Sequence, residues 1–304
     1  MNRNSKRFVA DMLLLLVTMF WGFSYIAIHS AIPETGTLGL NAYRFITAGA
    51  LTAIIFHKRL AKIDRETFKW GAIVGISLCA TYGFTNMSIR YTSTPNAAFL
   101  CAMGVVFVPV IELIFMHKKQ SIKLVVSVLL SVIGVALLTL TGGETLPETH
   151  LFGDACGIIT AIIYAFEMIA TGIAVKEKHL DAVSIGVLSM LWTGFGMLII
   201  SAAIGDIGVP ATRNAVLAVL FLTFLCSAFS FITQPVAQRH TDASHVGIIM
   251  SLEPVFAVTI AFITEGTLPT KMQILGQVLM IMALIILETD FSAISSSRSA
   301  RKHS

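Results

Sequence analysis

Long apolar stretches separated by short polar segments make up most of this chain. A helix that crosses a bilayer needs about 20 mostly apolar residues, whereas a transmembrane strand needs about 10 residues of alternating character. These stretches are long and do not alternate, so the pattern predicts helices. The predicted spans are 8–29, 38–56, 70–89, 95–116, 123–141, 153–174, 183–204, 214–237, 243–263 and 272–288.

The first stretch follows the basic residues Arg3, Lys6 and Arg7, which is also how a signal peptide begins. Its apolar run is longer than the 7–15 residues typical of a signal peptide, and it carries Trp21 and Tyr25 near its end. We therefore expect a first helix that is retained.

The composition agrees with a membrane protein. Of 304 residues, 56% are hydrophobic and only 12% are charged, against about 25% charged residues in soluble domains. This balance excludes a soluble enzyme and a nucleic-acid binder, and it makes the lipid bilayer the expected partner. The four cysteines lie in apolar runs without paired spacing, and there is no phosphate-binding loop, so we expect no cofactor and no metal site.

The basic residues are distributed unequally between the two sides. If the N-terminus lies inside, 17 of the 21 Lys and Arg residues fall in inner segments and only Arg90, Arg213 and Lys271 in outer ones, with Arg44 inside a span. Positive residues favour the cytoplasmic side. The sequence predicts a multi-pass protein of the plasma membrane, the bacterial inner membrane, with both termini in the cytoplasm.

The two halves of the chain resemble each other. Tyr91-Thr92-Ser93-Thr94 lies over His240-Thr241-Asp242-Ala243 at an offset of 149, and Asp11 and Trp21 lie over Asp154 and Tyr164 at an offset of 143. Because each half has five spans, the second copy must run through the bilayer upside down, which is typical of transporters. The predicted fold is an all-α membrane protein with ten transmembrane helices in two inverted five-helix repeats, 8–141 and 153–288, and a polar cytoplasmic tail at 289–304.

Several motifs resemble the EamA branch of the drug/metabolite transporter superfamily. They are Trp21-Gly22-Phe23-Ser24-Tyr25, Arg44-Phe45, the stretch from Tyr91 to Leu100 with Pro109 after it, and Ser251-Leu252-Glu253-Pro254-Val255-Phe256-Ala257. Their order covers both halves. Two departures are His117-Lys118-Lys119 in place of a Gly-Glu-Arg-like ending, and Val105 opposite Pro254. The resemblance implies a ten-helix transporter of small metabolites, with a central pocket lined by spans one, three, four, six, eight and nine.

Charged residues inside a bilayer are costly, so each is a candidate for function. Glu167 belongs to a polar stripe on span six and is expected either to bind a cationic group of the substrate or to carry a coupled proton; the alternative is a protonated structural acid. Arg44 is expected to reach the outer interface or cap carbonyl groups. Glu253 either pairs with Arg44 and locks the repeats together or lines the site. Glu112 and Glu288 are expected to reach interfacial water.

Polar and aromatic residues at helical spacing suggest the lining of a substrate pocket. The candidate binding residues are Trp21, Tyr25, Tyr82, Asn86, Asn96, Tyr164, Glu167, Gln234 and His245. Rings can stack on organic solutes or cations, whereas single polar residues often serve only interhelical hydrogen bonds. His245 has no companion at ligand spacing. The GxxxG patterns at Gly71 and Gly153 suggest close helix packing within the protomer.

The leading hypothesis is a secondary transporter that exports small organic metabolites, such as amino acids, by alternating access. It would be driven by the proton gradient or by the substrate gradient alone. A lipid scramblase or flippase is the alternative, and it would need a polar groove open to lipid. An intramembrane enzyme would need catalytic groups paired across helices, and a receptor would need soluble sensory segments, so we expect neither.

Overall fold

The computed structural model describes residues 3–140, 150–266 and 268–289. Within these ranges the regular structure is helical and contains no strand, and ten helices are long and apolar enough to cross a membrane. Spans 1 to 10 are Ser5–Thr35, Thr37–Ile55, Arg65–Tyr91, Asn96–Phe115, Ile122–Thr139, His150–Glu177, Ala182–Ile204, Arg213–Gln238, Ala243–Thr264 and Lys271–Glu288. The predicted fold class is confirmed. Residue 141 of the first predicted repeat and residues 290–304 of the predicted tail lie outside the described ranges.

Span 1 is longer than the sequence suggests. The predicted span ends at residue 29, but the helix continues through Pro33 and ends at Thr35. The helix stops at Gly36, whose φ of 70° is in the left-handed region that favours glycine. The chain therefore leaves the helix at the glycine and not at the proline.

The two repeats interlock in a symmetric way. Span 1 packs against spans 8 and 9, and span 6, its counterpart, packs against spans 3 and 4. Span 2 packs against span 7, and span 5 against span 10. The first span of each repeat thus lies against the third and fourth spans of the other, which is the arrangement of inverted repeats related by an axis in the membrane plane.

The fourth span of each repeat is interrupted at the corresponding place. Span 4 consists of helices Thr94–Ala102 and Gly104–Phe115, which meet at Met103, and span 9 consists of Ala243–Met250 and Glu253–Glu265. Leu252, at the second break, lies 149 positions after Met103, which is the offset of the repeats. Pro254 lacks an N–H group and explains the break in span 9. The break at Met103 is not caused by a proline, because Pro109 lies farther along, inside the second helix of span 4.

Small residues allow several helices to approach closely. A Cβ at Gly71 would lie 2.5 Å from the Cβ of Leu188 in span 7, and one at Gly153 would lie 2.6 Å from the backbone nitrogen of Thr92. Both GxxxG patterns therefore pack helices of the same chain together, as the sequence predicts.

One end of the bundle, here called the basic face, gathers the loops that follow spans 2, 4, 6 and 8. Salt bridges between the repeats join Arg59 to Asp181 at 3.0 Å and Lys178 to Glu66 at 2.6 Å. Lys118 contacts Asp242 at 3.4 Å, and Lys176 contacts the same carboxylate. The contacts of Arg59, Glu66 and Lys118 tie the repeats together at the basic face, whereas the contact of Lys176 lies within the second repeat.

Burial acts to raise the pKa of Asp242, but the bond from Lys176 and the charges of Lys118 and Lys176 outweigh it. The pKa of this carboxyl group is therefore held below its ordinary value. The Asp181 carboxyl group shows the same balance, because bonds from Ser184 and the charge of Arg59 overcome the effect of burial and lower its pKa. Both carboxylates at the basic face thus stay charged at neutral pH.

Candidate functional site

The middle of the bundle brings together acidic, basic and aromatic side chains from both repeats. The Tyr25 hydroxyl of span 1 lies beside the Glu253 carboxylate of span 9. The charge of Glu253 also acts on the hydroxyls of Tyr82 in span 3 and Tyr164 in span 6. This central group is therefore built from the spans that lie next to each other across the two repeats.

The break in span 9 explains why a carboxylate sits at this depth. Glu253 occupies the first turn of helix Glu253–Glu265, where the backbone N–H groups and the helix dipole favour negative charge. Gly22 of span 1 lies against the same turn, because a Cβ there would be 2.4 Å from the Cβ of Phe256 and 2.9 Å from the carbonyl oxygen of Glu253. The Trp21-Gly22 pair thus brings span 1 against the broken helix.

Arg44 does not reach the interface, so that expectation is wrong. Its side chain is buried, and its Nη2 donates to the Tyr82 hydroxyl at 2.6 Å. The guanidinium also lies 4.6 Å from the ring centre of Phe45 and 5.1 Å from that of Tyr82. Arg44 acts on Glu253 through its charge but does not form a salt bridge with it in the described structure. The expected direct lock between Arg44 and Glu253 is absent there.

Glu167 lies on the polar stripe of span 6 and is 2% exposed. Its Oε1 accepts a hydrogen bond from the Thr171 hydroxyl at 3.0 Å, one turn later on the same helix. Its Oε2 has no hydrogen-bond partner among the described residues. Tyr164, one turn earlier on the stripe, lies within the electrostatic reach of both Glu167 and Glu253.

Aromatic rings form one wall of this region. Trp21 lies 5.5 Å from Phe231 of span 8, and Phe45 lies 5.2 Å from both Phe231 and Tyr82, as ring-centre distances. The indole nitrogen of Trp21 donates to the backbone oxygen of Cys226 at 3.0 Å. This bond fixes the ring, and the wall offers faces for an organic solute or a cation.

Several buried polar atoms near this wall lack a protein partner among the described residues. They include both amide atoms of Gln234, which follows Phe231 by one turn, and Nε of Arg44. A buried polar atom without a hydrogen bond costs about 1–3 kcal/mol. Water or a polar group of a bound solute would remove this cost.

Of three further predicted binding residues, one stays near the central group and two lie away from it. Asn86 bonds the backbone oxygen of Tyr82 at 2.8 Å and stays near the central group. Asn96 lies at the end opposite the basic face, where its amide donates to Asp154 at 2.5 Å and to Thr92 at 3.0 Å. His245 lies at the basic face, apart from the central group.

His245 is not isolated, contrary to the expectation from sequence spacing. Its Nε2 lies 2.6 Å from Oε1 of Glu288 and 3.4 Å from Oδ1 of Asp11, and Nη2 of Arg7 lies 3.1 Å from its Nδ1. Two ligands of one zinc ion are about 3.3 Å apart, so the 2.6 Å between Nε2 of His245 and Oε1 of Glu288 is shorter than the separation of two zinc ligands. With Arg7 at the other nitrogen, the imidazole lies in a cluster of charged side chains from both repeats.

Glu112 is also different from expectation, because it is 3% exposed and does not reach open water. It accepts from Lys118 at 3.0 Å and from the Ser244 hydroxyl, which joins the repeats at the basic face. Glu288 is partly exposed, as expected, but it is engaged with His245.

Sequence reasoning overlooked Asp11 as a candidate and did not identify Phe45 and Phe231 as part of the aromatic wall. Asp11 is an acid inside the predicted first span, one turn after Arg7, and it is 3% exposed in the structure. The sequence itself indicates this candidate, because any carboxylate inside an apolar run is costly. The two phenylalanines carry no such signal, since apolar residues in a membrane helix face lipid, protein or a cavity alike.

Ten spans, inverted repeats, interrupted fourth spans and a polar centre define the class of helical membrane transporters. The model of the EamA-like transporter family matches residues 8–140 and 151–289. The chain therefore belongs to the EamA-like transporter family.

Two relatives from Archaeoglobus fulgidus, each described as an uncharacterized transporter, cover most of the chain. One is 27% identical over 282 residues, which is 91% of this chain and 96% of its own length. The other is 25% identical over 281 residues, 92% of this chain and 86% of its own length. A crystal structure of a protein with 14% identity has a TM-score of 0.80 and covers 92% of this chain and 96% of its own. That likeness concerns the fold alone.

Proposed function

We propose that this protein is a secondary transporter of small organic solutes that carry a cationic group, such as amino acids and related compounds, and that it exports them. The observation that carries the proposal is the presence of Glu167 and Glu253 inside the bundle, close to the rings of Tyr164 and Tyr25. Buried carboxylates without a cationic partner are costly. A cationic solute would supply that partner, and a proton would do so on the return step.

Alternating access would follow from the two repeats. The contacts at the basic face hold that end closed, while Tyr25, in the half of span 1 nearer the other end, is 49% exposed. We infer that the central group opens away from the basic face in this conformation. The opposite conformation would require the contacts between repeats at the basic face to break and the other end to close.

The basic face is proposed to be cytoplasmic, with the N-terminus and the C-terminal tail on that side. The inner segments predicted from the distribution of Lys and Arg meet at this one end of the bundle, as Arg59, Lys118 and Lys178 illustrate. The membrane is proposed to be the plasma membrane, which in a bacterium is the inner membrane.

Two other functions, those of a lipid scramblase and of an enzyme, receive less support. A lipid scramblase would expose its polar residues to the bilayer, but Glu167 is 2% exposed and faces protein. We also propose that the solute is moved without chemical change, since Glu253 lies near Tyr25 and the charge of Arg44 and Glu167 lies near Tyr164, an arrangement suited to binding a cation.

The proposal is tested by comparing metabolites inside and outside cells that overexpress the protein, lack it, or carry Glu167→Gln. Overexpression should deplete at least one amine-containing solute from the cells, and Glu167→Gln should abolish that depletion. Glu177→Gln, at an exposed position of the same span, is the matched control and should behave like the wild type. Unchanged solute gradients, or gradients only in solutes without an amine, would contradict the proposal.

A further inference from the structure

The cluster of Arg7, Asp11, His245 and Glu288 joins the two repeats at the basic face. Arg7 and Asp11 belong to span 1, whereas His245 begins span 9 and Glu288 ends span 10. The side chains of Asp11 and His245 are 5% and 6% exposed, and that of Glu288 is 39% exposed. The contact between the repeats at the basic face thus places a titratable histidine between two carboxylates, which packing alone does not require.

The contact with Arg7 constrains which ring nitrogen of His245 carries hydrogen in this conformation. A guanidinium can only donate, so Arg7 at 3.1 Å requires a free electron pair on Nδ1. Nε2 then carries the ring hydrogen and lies 2.6 Å from Oε1 of Glu288. The imidazole is therefore neutral, and Arg7 occupies the position at which a further proton would bind.

We propose that Asp11, His245 and Glu288 form a proton-binding site that holds the two repeats together at the basic face. A proton would bind to Nδ1 of His245 and displace Arg7 from it. The imidazolium would then face two carboxylates, of which Asp11 belongs to the other repeat. Protonation thus replaces a neutral contact between repeats by an ion pair and favours the conformation in which the basic face is closed.

Charged groups on the neighbouring spans have partners of their own. On span 4, Glu112 bonds Lys118 and Ser244. On span 5, Lys123 donates to the backbone oxygen of Thr289 at 2.5 Å. Next to the start of span 9, Asp242 is paired with Lys118 and with Lys176 at the end of span 6. The groups that face the imidazole are therefore Arg7, Asp11 and Glu288.

The proposal rests on the alternating-access part of the proposed function but needs no knowledge of the solute. The test uses the full-length protein with its native cysteines replaced and spin labels at Lys119→Cys and Glu177→Cys, exposed positions of the two repeats. Distances between the labels are measured in nanodiscs from about pH 8 to about pH 5, the range in which histidine titrates. Acidification should increase the population with the shorter distance.

Two variants with opposite expected effects keep the test independent of folding defects. His245→Gln should remove the dependence on pH, whereas Arg7→Gln removes the competitor for Nδ1 and should shift the midpoint of the change to higher pH. His240→Gln, at an exposed histidine of the loop before span 9, should leave the response unchanged. A response retained in His245→Gln, absent from the wild type, or shifted to lower pH in Arg7→Gln would overturn the proposal. Each of these results could occur while solute transport itself is intact.

Discussion

The guanidinium of Arg44 donates to the hydroxyl of Tyr82 at 2.6 Å. Both residues belong to the first repeat. The contact places a fixed positive charge near Glu253 of the second repeat without a salt bridge between them. Arg44 therefore reduces the cost of the buried carboxylate while leaving it available to another cation. The proposed binding of a cation rests on this separation of opposite charges.

Tyr82→Phe should weaken the fold around Arg44 without changing the shape of the ring. The substitution removes the hydroxyl acceptor and leaves a buried guanidinium short of one hydrogen bond, which costs about 1–3 kcal/mol. Thermal unfolding in detergent should show a lower melting temperature than for Tyr43→Phe on span 2. Equal melting temperatures for the two variants would show that the Arg44 contact contributes nothing to stability.

Gly22→Val should separate span 1 from the start of helix Glu253–Glu265. The new Cβ would meet the Cβ of Phe256 at 2.4 Å, and such overpacking typically costs about 1–3 kcal/mol. Both the melting temperature and solute transport should fall. Gly83→Ala is the control, because a Cβ there meets nothing within 4 Å, and it should have little effect. A tolerated Gly22→Val would contradict the close contact between spans 1 and 9.

The fold could be predicted largely from the sequence, because the length of each apolar stretch and the distribution of charge fix the number of spans. The break at Met103 could not, since it has no proline and is visible only as the counterpart of Leu252. Glu167 could be located from its polar stripe. The surroundings of His245 could not, because Asp11 and Glu288 come from distant spans and only tertiary packing brings them to one imidazole.

The acid dependence of the basic face can be separated from that of His245. The pKa of Asp242 is held below its ordinary value of 3.8 by Lys176 and Lys118 against the effect of burial. The stabilisation is therefore fully present above pH 3.8 and is lost only as the pH falls through the lower value of the folded state. Asp242→Asn should loosen the basic face at neutral pH, yet any change in label distance between about pH 8 and about pH 5 should persist in this variant.

The membrane orientation is tested by fusions to the C-terminus. A cytoplasmic C-terminus should give a fluorescent green fluorescent protein fusion and an inactive alkaline phosphatase fusion in a bacterial host. The same reporters placed after Arg213, in a predicted outer segment, should give the reverse pattern. Active phosphatase at the C-terminus would invert the assignment of the basic face.

The central claim is tested most directly by solute uptake into proteoliposomes. The assay compares wild type, Glu167→Gln and the control Glu177→Gln, using labelled amino acids, the corresponding amines, and carboxylic acids that lack the amino group. We expect uptake of at least one amine-containing compound and a loss of about tenfold or more in Glu167→Gln, because removing one partner of a buried charge pair is costly. Uptake restricted to compounds without an amino group, or uptake unaffected by Glu167→Gln, would contradict the account.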